Sequence, residues 1–224
     1  MSATPTTIRR CPVGPLPCIG ITPSMPAGAV VFVHGYGGCK DEMLGLAVRA
    51  AEIDLAAYAF DLRGHGANPA SMDADLAADV ELAVAHARRL GRVAAIGHSL
   101  GGRLAIASSA DFALGISPAL ASSYGAKTRA ILGSTRDGRV RQVYSGVVFD
   151  VLTEPPKFDV RPDRPVRLFY GSRDLPEISS ACRVWAERGV STFEVANALH
   201  ANICVLEQTY DEMTRTLSAW FGRA

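Results

Sequence analysis

The sequence predicts a three-layer α/β/α sandwich, in which helices cover both faces of a mostly parallel sheet. From residue 29 to the end of the chain, six short apolar runs bounded by glycine, proline or aspartate alternate with longer amphipathic stretches. Such runs are typical of parallel strands, because those strands are buried on both faces. The length of 224 residues and the hydrophobic content of 48% suit a single domain over residues 1–224.

The six apolar runs predict the strands of this sheet. They lie at residues 29–35, 56–61, 93–99, 112–118, 166–172 and 190–196. Closer to the N-terminus, the segments around Ile8–Cys11 and Cys18–Ile21 are candidates for two antiparallel strands at one edge of the sheet, where proline is tolerated.

The amphipathic stretches predict the helices. Ser71 can cap the stretch MDADLAADVELAVAHARRL, which carries apolar residues on one face at positions 76, 80, 84 and 87. Its aspartates near the start and arginines at the end suit the helix dipole. Pro176 lies in the first turn of another stretch, where no intrahelical hydrogen bond is lost. We expect helices at residues 41–51, 72–90, 100–109, 176–188 and 201–221.

Residues 119–164, between Pro118 and Pro165, interrupt this alternation. They contain a β-like stretch, YSGVVFDVL, the proline-rich stretch EPPKFDVRPDRP and a basic run made of Lys127, Arg129, Arg136, Arg139 and Arg141. A structureless loop of this length is unusual in a compact domain, so we expect a small cap-like insertion above the sheet. The basic run either meets an anionic group of a substrate or forms a solvated charged surface.

Composition excludes several classes of partner. The chain has 23 basic and 22 acidic side chains and a formal net charge of +1, which does not favour nucleic acid or an anionic membrane. No apolar run approaches the roughly 20 residues of a membrane span, and the first 28 residues lack a signal-peptide core, so we expect a cytoplasmic protein. The cysteines have no ligand spacing, which predicts free thiols and no metal site. They are Cys11, Cys18, Cys39, Cys182 and Cys204.

Ser99 is the candidate nucleophile. It lies in Gly97-His98-Ser99-Leu100-Gly101, where VAAI leads in as a strand and LGGRLAIA leads out as a helix. This strand–turn–helix setting is the one that exposes a catalytic serine, and glycines on both sides allow the sharp turn. The amide groups at the start of the helix would face an oxyanion that forms in front of the serine.

A serine hydroxyl needs a base and an orienting acid to become nucleophilic. His200 is the candidate base, because it is the histidine downstream of Ser99 and follows the last predicted strand. His34, His65, His86 and His98 are interpreted as structural or surface residues. Asp174, at the end of the strand VRLFYGS, is the preferred acid. Glu177 is the second choice, and Asp150 and Asp163 also compete.

Backbone amides are expected to stabilise the oxyanion of acyl transfer. Leu100 supplies one amide by its position after the nucleophile. Tyr36, in the glycine-rich stretch HGYGG at a strand exit, is the candidate for the second. The phenol of Tyr36 either lines the substrate pocket or packs against the protein.

These motifs together resemble those of α/β-hydrolase-fold enzymes, most closely the lysophospholipase-like and carboxylesterase-like members. They occur in the order of that family: HGYGG at 34–38, DLRGHG at 61–66, GHSLGG at 97–102, GSRD at 171–174 and LHAN around His200. In this family DLRGHG is mainly a structural turn, so the resemblance implies no catalytic role for Asp61, Arg63 or His65. The insertion is shorter than the cap of many relatives, which implies an open pocket.

The resemblance implies a serine hydrolase that cleaves carboxylic esters through an acyl-enzyme intermediate, without a metal or cofactor. The expected partner is a small-molecule acyl ester or thioester. Two alternatives remain open: a thioesterase of acyl metabolism, and a catalytically silent binding protein.

Overall fold

Eight strands form one sheet in the computed structural model, which describes residues 6–136, 138–144, 146–154 and 163–222. In chain order they are β1 (Thr6–Arg10), β2 (Cys18–Pro23), β3 (Ala29–Val33), β4 (Ala56–Phe60), β5 (Val93–His98), β6 (Phe112–Ile116), β7 (Val166–Gly171) and β8 (Ser191–Val195). Their order across the sheet is β1-β2-β4-β3-β5-β6-β7-β8. The pairs β1–β2 and β2–β4 are antiparallel, and all other pairs are parallel.

Seven α-helices accompany the sheet in the described residues. They are α1 (Leu44–Ala51), α2 (Leu76–Ala87), α3 (Leu100–Ala107), α4 (Ala126–Arg136), α5 (Val147–Thr153), α6 (Pro176–Glu187) and α7 (Glu207–Phe221). Short 3-10 turns precede α1 at Lys40–Met43, follow α2 at Arg88–Leu90 and precede α7 at Ile203–Val205. None of the helices in the described ranges is long and apolar enough to cross a membrane.

Two apolar cores lie on opposite faces of the sheet. Leu46 of α1 and Met213 and Leu217 of α7 belong to one core. Val80 of α2, Leu104 of α3 and buried residues of α5 and α6 belong to the other. Alternate residues of a strand point to opposite faces, so Val31 and Phe32 of β3 belong to different cores. The predicted three-layer fold class is therefore confirmed.

The six predicted strands are present, each within two residues of its expected bounds. The antiparallel pair near the N-terminus is present as well, with Ile8 opposite Ile21. The parallel register places Val33 opposite Gly97, and His98 opposite Ile116. The carboxyl ends of β3, β5 and β6 therefore lie at one edge of the sheet, where ligands bind in such folds.

The start of α2 differs from the prediction. The helix begins at Leu76, five residues after Ser71, and the Asp75 side chain makes no capping hydrogen bond. Met72 is completely buried, and its amide donates a hydrogen bond of 2.7 Å to the carbonyl of Arg141. This pairing with a distant segment keeps the backbone around Met72 extended, so local helix signals there are overridden.

The stretch YSGVVFDVL was expected to be β-like, and that prediction is wrong. Residues Val147–Thr153 form α5, which follows Gly146 with φ of 108°. Val147, Val148 and Leu152 are buried, so packing of an apolar face outweighs the β preference of valine and phenylalanine. Both α4 and α5 lie within the predicted insertion over 119–164. The bounds of that insertion stay a prediction, and most of the proline-rich stretch, residues 155–162, lies outside the described residues.

Candidate active site

Ser99 occupies the sharp turn between β5 and α3. Its φ and ψ are 54° and −116°, a conformation that side-chain-bearing residues rarely adopt. A Cβ at Gly97 would lie 2.1 Å from the carbonyl oxygen of Gly101, and one at Gly101 would lie 2.2 Å from that of Val33. The two glycines of the motif are therefore required by close backbone contacts.

Three side chains form a continuous series of hydrogen bonds at this turn. Nε2 of His200 lies 3.0 Å from Oγ of Ser99, and Nδ1 of His200 lies 2.8 Å from Oδ1 of Asp174. Asp174 is ionised, so the bond requires the proton on Nδ1, which leaves Nε2 free to accept the Ser99 proton. The structure thus brings together all three residues that the sequence analysis selected.

The Asp174 carboxylate is held by four donors. Oδ1 accepts from His200 and from the amide of Leu175, and Oδ2 accepts from the hydroxyl of Ser117 and the amide of Gly171. Burial alone would raise the pKa of Asp174, whose side chain is 0% exposed, but these hydrogen bonds lower it below its ordinary value. Asp174 is therefore an anion behind His200 at neutral pH.

Glu177, the second candidate for the acid, has other partners. Its Oε1 accepts hydrogen bonds from the amide of Gly125 at 2.9 Å and from Oγ1 of Thr128 at 3.0 Å, next to the start of α4. The Gly125 amide holds the pKa of Glu177 below its ordinary value. Asp150 accepts a hydrogen bond from the hydroxyl of Tyr144. Neither carboxylate takes the place beside His200.

The loops that carry Asp174 and His200 are bound to each other. The amide of Arg173 donates to the carbonyl of Ala198 at 3.0 Å, and the amide of Asn197 donates to Oγ of Ser172 at 2.8 Å. A Cβ at Gly171 would lie 2.2 Å from the carbonyl oxygen of Ala198. The glycine of the GSRD motif thus permits the close contact that aligns these two loops.

The glycine-rich loop after β3 packs directly against the serine. A Cβ at Gly35 would lie 3.4 Å from Cβ of Ser99. Tyr36 lies beside it, and Leu100 opens α3, where an amide has no preceding helical carbonyl to bind. Both predicted oxyanion donors therefore lie in the loop and the helix start that border Ser99.

A buried ion pair anchors this glycine-rich loop. Nζ and the amide of Lys40 donate to Asp61 at 2.7 and 2.8 Å. Burial would raise the pKa of the completely buried Asp61, but hydrogen bonds from Lys40 and from the amide of Ala67 lower it. Nε2 of His34 also accepts a hydrogen bond from the amide of Leu62 at 3.1 Å. The structural role expected for the DLRGHG turn agrees with these contacts.

His98, the residue before Ser99, contacts the candidate base His200. Its Nε2 lies 2.9 Å from the backbone carbonyl of His200, and the two rings are 4.9 Å apart. Because a carbonyl can only accept, Nε2 of His98 carries a proton. Burial lowers the pKa of His98 to about 3, and the nearby His200 adds to this effect. His98 is thus a neutral donor that holds the His200 loop.

A pocket of about 430 Å³ opens at Ser99 and His200. Helices α4 and α5 supply one wall, and Leu175 and Ile178 continue it. Thr135 of α4 lies against the glycine-rich loop, because a Cβ at Gly37 would lie 2.1 Å from its methyl group. The described part of the insertion therefore covers one side of the pocket.

Tyr36 both lines the pocket and packs against the protein. Its ring meets His65 edge-on at 5.7 Å, and its hydroxyl accepts a hydrogen bond from Nε2 of Gln142. The two interpretations offered for its phenol therefore apply together.

Three residues of the basic run, Arg129, Arg139 and Arg141, have different surroundings. The guanidinium of Arg129 lies 4.8 Å from the ring of Phe149, and that of Arg141 donates to backbone carbonyls of Gly66 and Asn68. Arg139 and Glu42 both line the pocket. The side chain of Arg136 lies outside the described residues.

The sequence analysis missed one residue that contacts the site, Ser117, and it assigned His98 only a structural or surface role without its partner. Ser117 follows a strand in the stretch ISP and carried no motif. His98 lies inside the serine motif, but its partner is a backbone carbonyl about a hundred positions away along the chain. Within the described ranges, no group of three or more His, Cys, Asp or Glu residues could hold a metal ion.

Comparison with known proteins agrees with this architecture. The Alpha/beta hydrolase family matches residues 30–221, so the chain belongs to that family. A monoacylglycerol lipase of Paleococcus ferrophilus is similar in structure, with a TM-score of 0.68, 23% sequence identity and coverage of 92% of this chain and 98% of that one. An esterase of Pyrobaculum calidifontis is similar at a TM-score of 0.67, 17% identity and coverage of 99% and 85%. No curated protein matches the sequence.

Proposed function

We propose that this protein is a serine hydrolase that cleaves small carboxylic esters through an acyl-enzyme intermediate. The observation that carries the proposal is the continuous series of hydrogen bonds from Ser99 through His200 to Asp174, with Ser99 open to a pocket. Membership of the Alpha/beta hydrolase family and similarity to a lipase and an esterase support it.

In the first half of the reaction, Oγ of Ser99 attacks the ester carbonyl carbon while its proton passes to Nε2 of His200. The amides of Tyr36 and Leu100 stabilise the negative oxygen of the tetrahedral intermediate. His200 then gives the proton to the alcohol oxygen as the carbon–oxygen bond breaks. The alcohol leaves, and the acyl group remains on Ser99.

In the second half, water replaces the alcohol. His200 takes a proton from the water as it attacks the acyl-enzyme, and Ser99 recovers its proton when the acid leaves. Asp174 stays ionised throughout, holds the His200 ring through Nδ1 and stabilises its cationic form. The low pKa of Asp174 suits this role.

The pocket lining suits an apolar acyl group. Aliphatic side chains line the wall formed by α4, α5 and the start of α6, and two charged residues, Glu42 and Arg139, also line the pocket. An acyl chain would bury its methylenes against the aliphatic wall, each contributing about 0.8 kcal/mol. The ring of Tyr36 would contact the same substrate.

Turnover of a short p-nitrophenyl ester tests the proposal. We expect the wild-type protein to hydrolyse it, and Ser99→Ala and His200→Ala to lower kcat by about a thousandfold or more. The exposed Ser123 provides a matched control, and Ser123→Ala should retain wild-type turnover. If Ser99→Ala kept its activity, the nucleophile would be wrong. If wild-type protein cleaved neither esters nor thioesters, the catalytically silent alternative would be favoured.

One observation favours a thioesterase as the second candidate. Arg139 lines the pocket, where its guanidinium could meet the phosphates of an acyl-CoA. Acyl-CoA and neutral ester hydrolysis should be compared in wild-type, Arg139→Gln and the control Arg129→Gln, whose arginine lies over Phe149. The thioesterase would be favoured if wild-type protein cleaved acyl-CoA faster than the neutral ester, and if Arg139→Gln but not Arg129→Gln lowered the rate with acyl-CoA. If Arg139→Gln lowered the hydrolysis of both substrates equally, Arg139 would not be a binding site for the phosphates.

A further inference from the structure

The segment that follows β6 contacts both ends of the candidate triad. The amide of Ser99 donates to the carbonyl of Ile116 at 2.9 Å, and the amide of Ala119 donates to the carbonyl of Ser99 at 3.0 Å. Between these two contacts, the hydroxyl of Ser117 donates to Oδ2 of Asp174. A four-residue segment thus fixes the position of the acid relative to the nucleophile.

Ser117 makes this contact from an unfavourable backbone conformation. Its φ is 46°, and the residue is completely buried. This left-handed region is disfavoured for a residue with a side chain, whereas glycine adopts it readily. Its amide is also held, because it donates to the carbonyl of Phe169 at 2.7 Å. Strain of this kind persists where a side chain is needed at that position.

The hydroxyl of Ser117 is one of two donors to Oδ2 of the Asp174 carboxylate. Without it, Oδ2 of Asp174 would keep one partner, the amide of Gly171 at 3.2 Å. The Asp174 side chain is inaccessible to solvent, so bulk water does not replace the lost donor. A carboxylate held more loosely at Oδ2 can rotate, and rotation moves Oδ1 away from Nδ1 of His200.

We propose that Ser117 is a positioning residue, whose hydroxyl fixes the Asp174 carboxylate and, through it, the ring orientation and Nδ1–H tautomer of His200. This inference rests on the proposed hydrolase function. Ser117 is not among the residues that line the pocket, so it acts through Asp174 and makes no contact with substrate. Its removal should therefore lower kcat and leave KM unchanged.

Two variants test this role, because each removes the hydroxyl with a different effect on the backbone. Ser117→Ala keeps the strained φ, whereas Ser117→Gly suits it and should unfold at a urea concentration equal to or above that of Ser117→Ala. Both should lose about ten- to hundredfold in kcat for a p-nitrophenyl ester, at constant KM. Ser108→Ala is the matched control. Ser108 is also buried and bonds the carbonyl of Ala105 at 2.7 Å, so this variant should keep wild-type kcat.

A spectroscopic measurement separates positioning from a general structural effect. The low-field proton NMR signal of His200 Nδ1–H should shift or broaden in both Ser117 variants and stay unchanged in Ser108→Ala. Wild-type kcat in either Ser117 variant, or a lower kcat with an unchanged Nδ1–H signal, would overturn the inference. Failure of the proposed function looks different, because wild-type protein would then neither hydrolyse esters nor react with a fluorophosphonate probe.

Discussion

Two serines at the ends of neighbouring strands adopt positive φ angles, 54° at Ser99 and 46° at Ser117. The first presents a hydroxyl to the pocket and the second presents one to Asp174. Strained positions of this kind cost about 1–3 kcal/mol each and cluster at active sites. At the residue scale, two strained backbone positions therefore place the hydroxyls of the site, and the surrounding strands hold them there.

The pH dependence of stability should depend on Asp174. Its pKa is lower in the folded protein than its ordinary value of 3.8. A carboxyl with a depressed folded pKa stabilises the fold above its unfolded pKa, and this contribution is lost as the pH falls through the folded pKa. Urea unfolding from neutral pH down to about pH 3 should therefore show a stability difference between wild-type protein and Asp174→Asn that decreases on acidification. A difference that is constant across this range would contradict the assignment.

Residue types and motif spacing predicted Ser99, Asp174 and His200, because each follows a strand within a recognisable stretch. They left Glu177 as a second choice beside Asp174, since the two carboxylates are only three residues apart in the sequence. Gly125 and Thr128, from a different part of the chain, donate hydrogen bonds to Glu177 and hold it away from His200. Ser117 carried no local signal, because its partner belongs to another strand.

At the scale of elements, the turn between β5 and α3 depends on glycine. Gly101→Ala would place a Cβ 2.2 Å from the carbonyl oxygen of Val33, so we expect a loss of about 1–3 kcal/mol in the free energy of unfolding. Gly133→Ala in α4 is the control, because a Cβ there meets nothing within 4 Å. That variant should gain up to about 1 kcal/mol from helix propensity. Urea denaturation measures both, and equal stabilities would refute the packing argument.

Elements were predictable where local pattern and tertiary contacts agree. Strand β3 is wholly apolar and buried, and β5 is buried up to Gly97, so their sequence pattern sufficed. The start of α2 and the helical state of α5 were not predictable, because Met72 pairs with Arg141 and the valines of α5 pack into the core beneath the insertion. Both differences arise where the chain meets the 119–164 segment, which interrupts the regular alternation.

At the scale of the whole molecule, the contribution of an ion pair to stability depends on its burial. Lys40 and Asp61 join the 3-10 turn before α1 to the turn after β4 inside the protein, whereas Arg49 and Glu207 join α1 to α7 on the surface. Lys40→Met leaves a completely buried carboxylate without its counter-ion, and we expect about 3–5 kcal/mol of destabilisation in urea. Arg49→Met breaks an exposed pair and should leave the unfolding midpoint almost unchanged. A reversed order of the two midpoints would contradict this comparison.

The sheet as a whole explains why residues distant in sequence meet. Parallel strands bring their carboxyl ends to one edge, so β5, β7 and β8 deliver Ser99, Asp174 and His200 to the same place. The sequence predicted this convergence from the alternation of strands and helices. It did not predict the contact between α4 and the glycine-rich loop, because that contact depends on how the insertion folds over the edge.

The most direct test of the central claim is the reaction of Ser99 with a fluorophosphonate, located by mass spectrometry of proteolytic peptides. We predict one phosphonate per wild-type chain, on the peptide that contains Ser99. Ser99→Ala should carry none, and His200→Ala should react far more slowly than the wild-type protein. Equal labelling of wild-type protein and Ser99→Ala, or a phosphonate on another residue, would contradict the account.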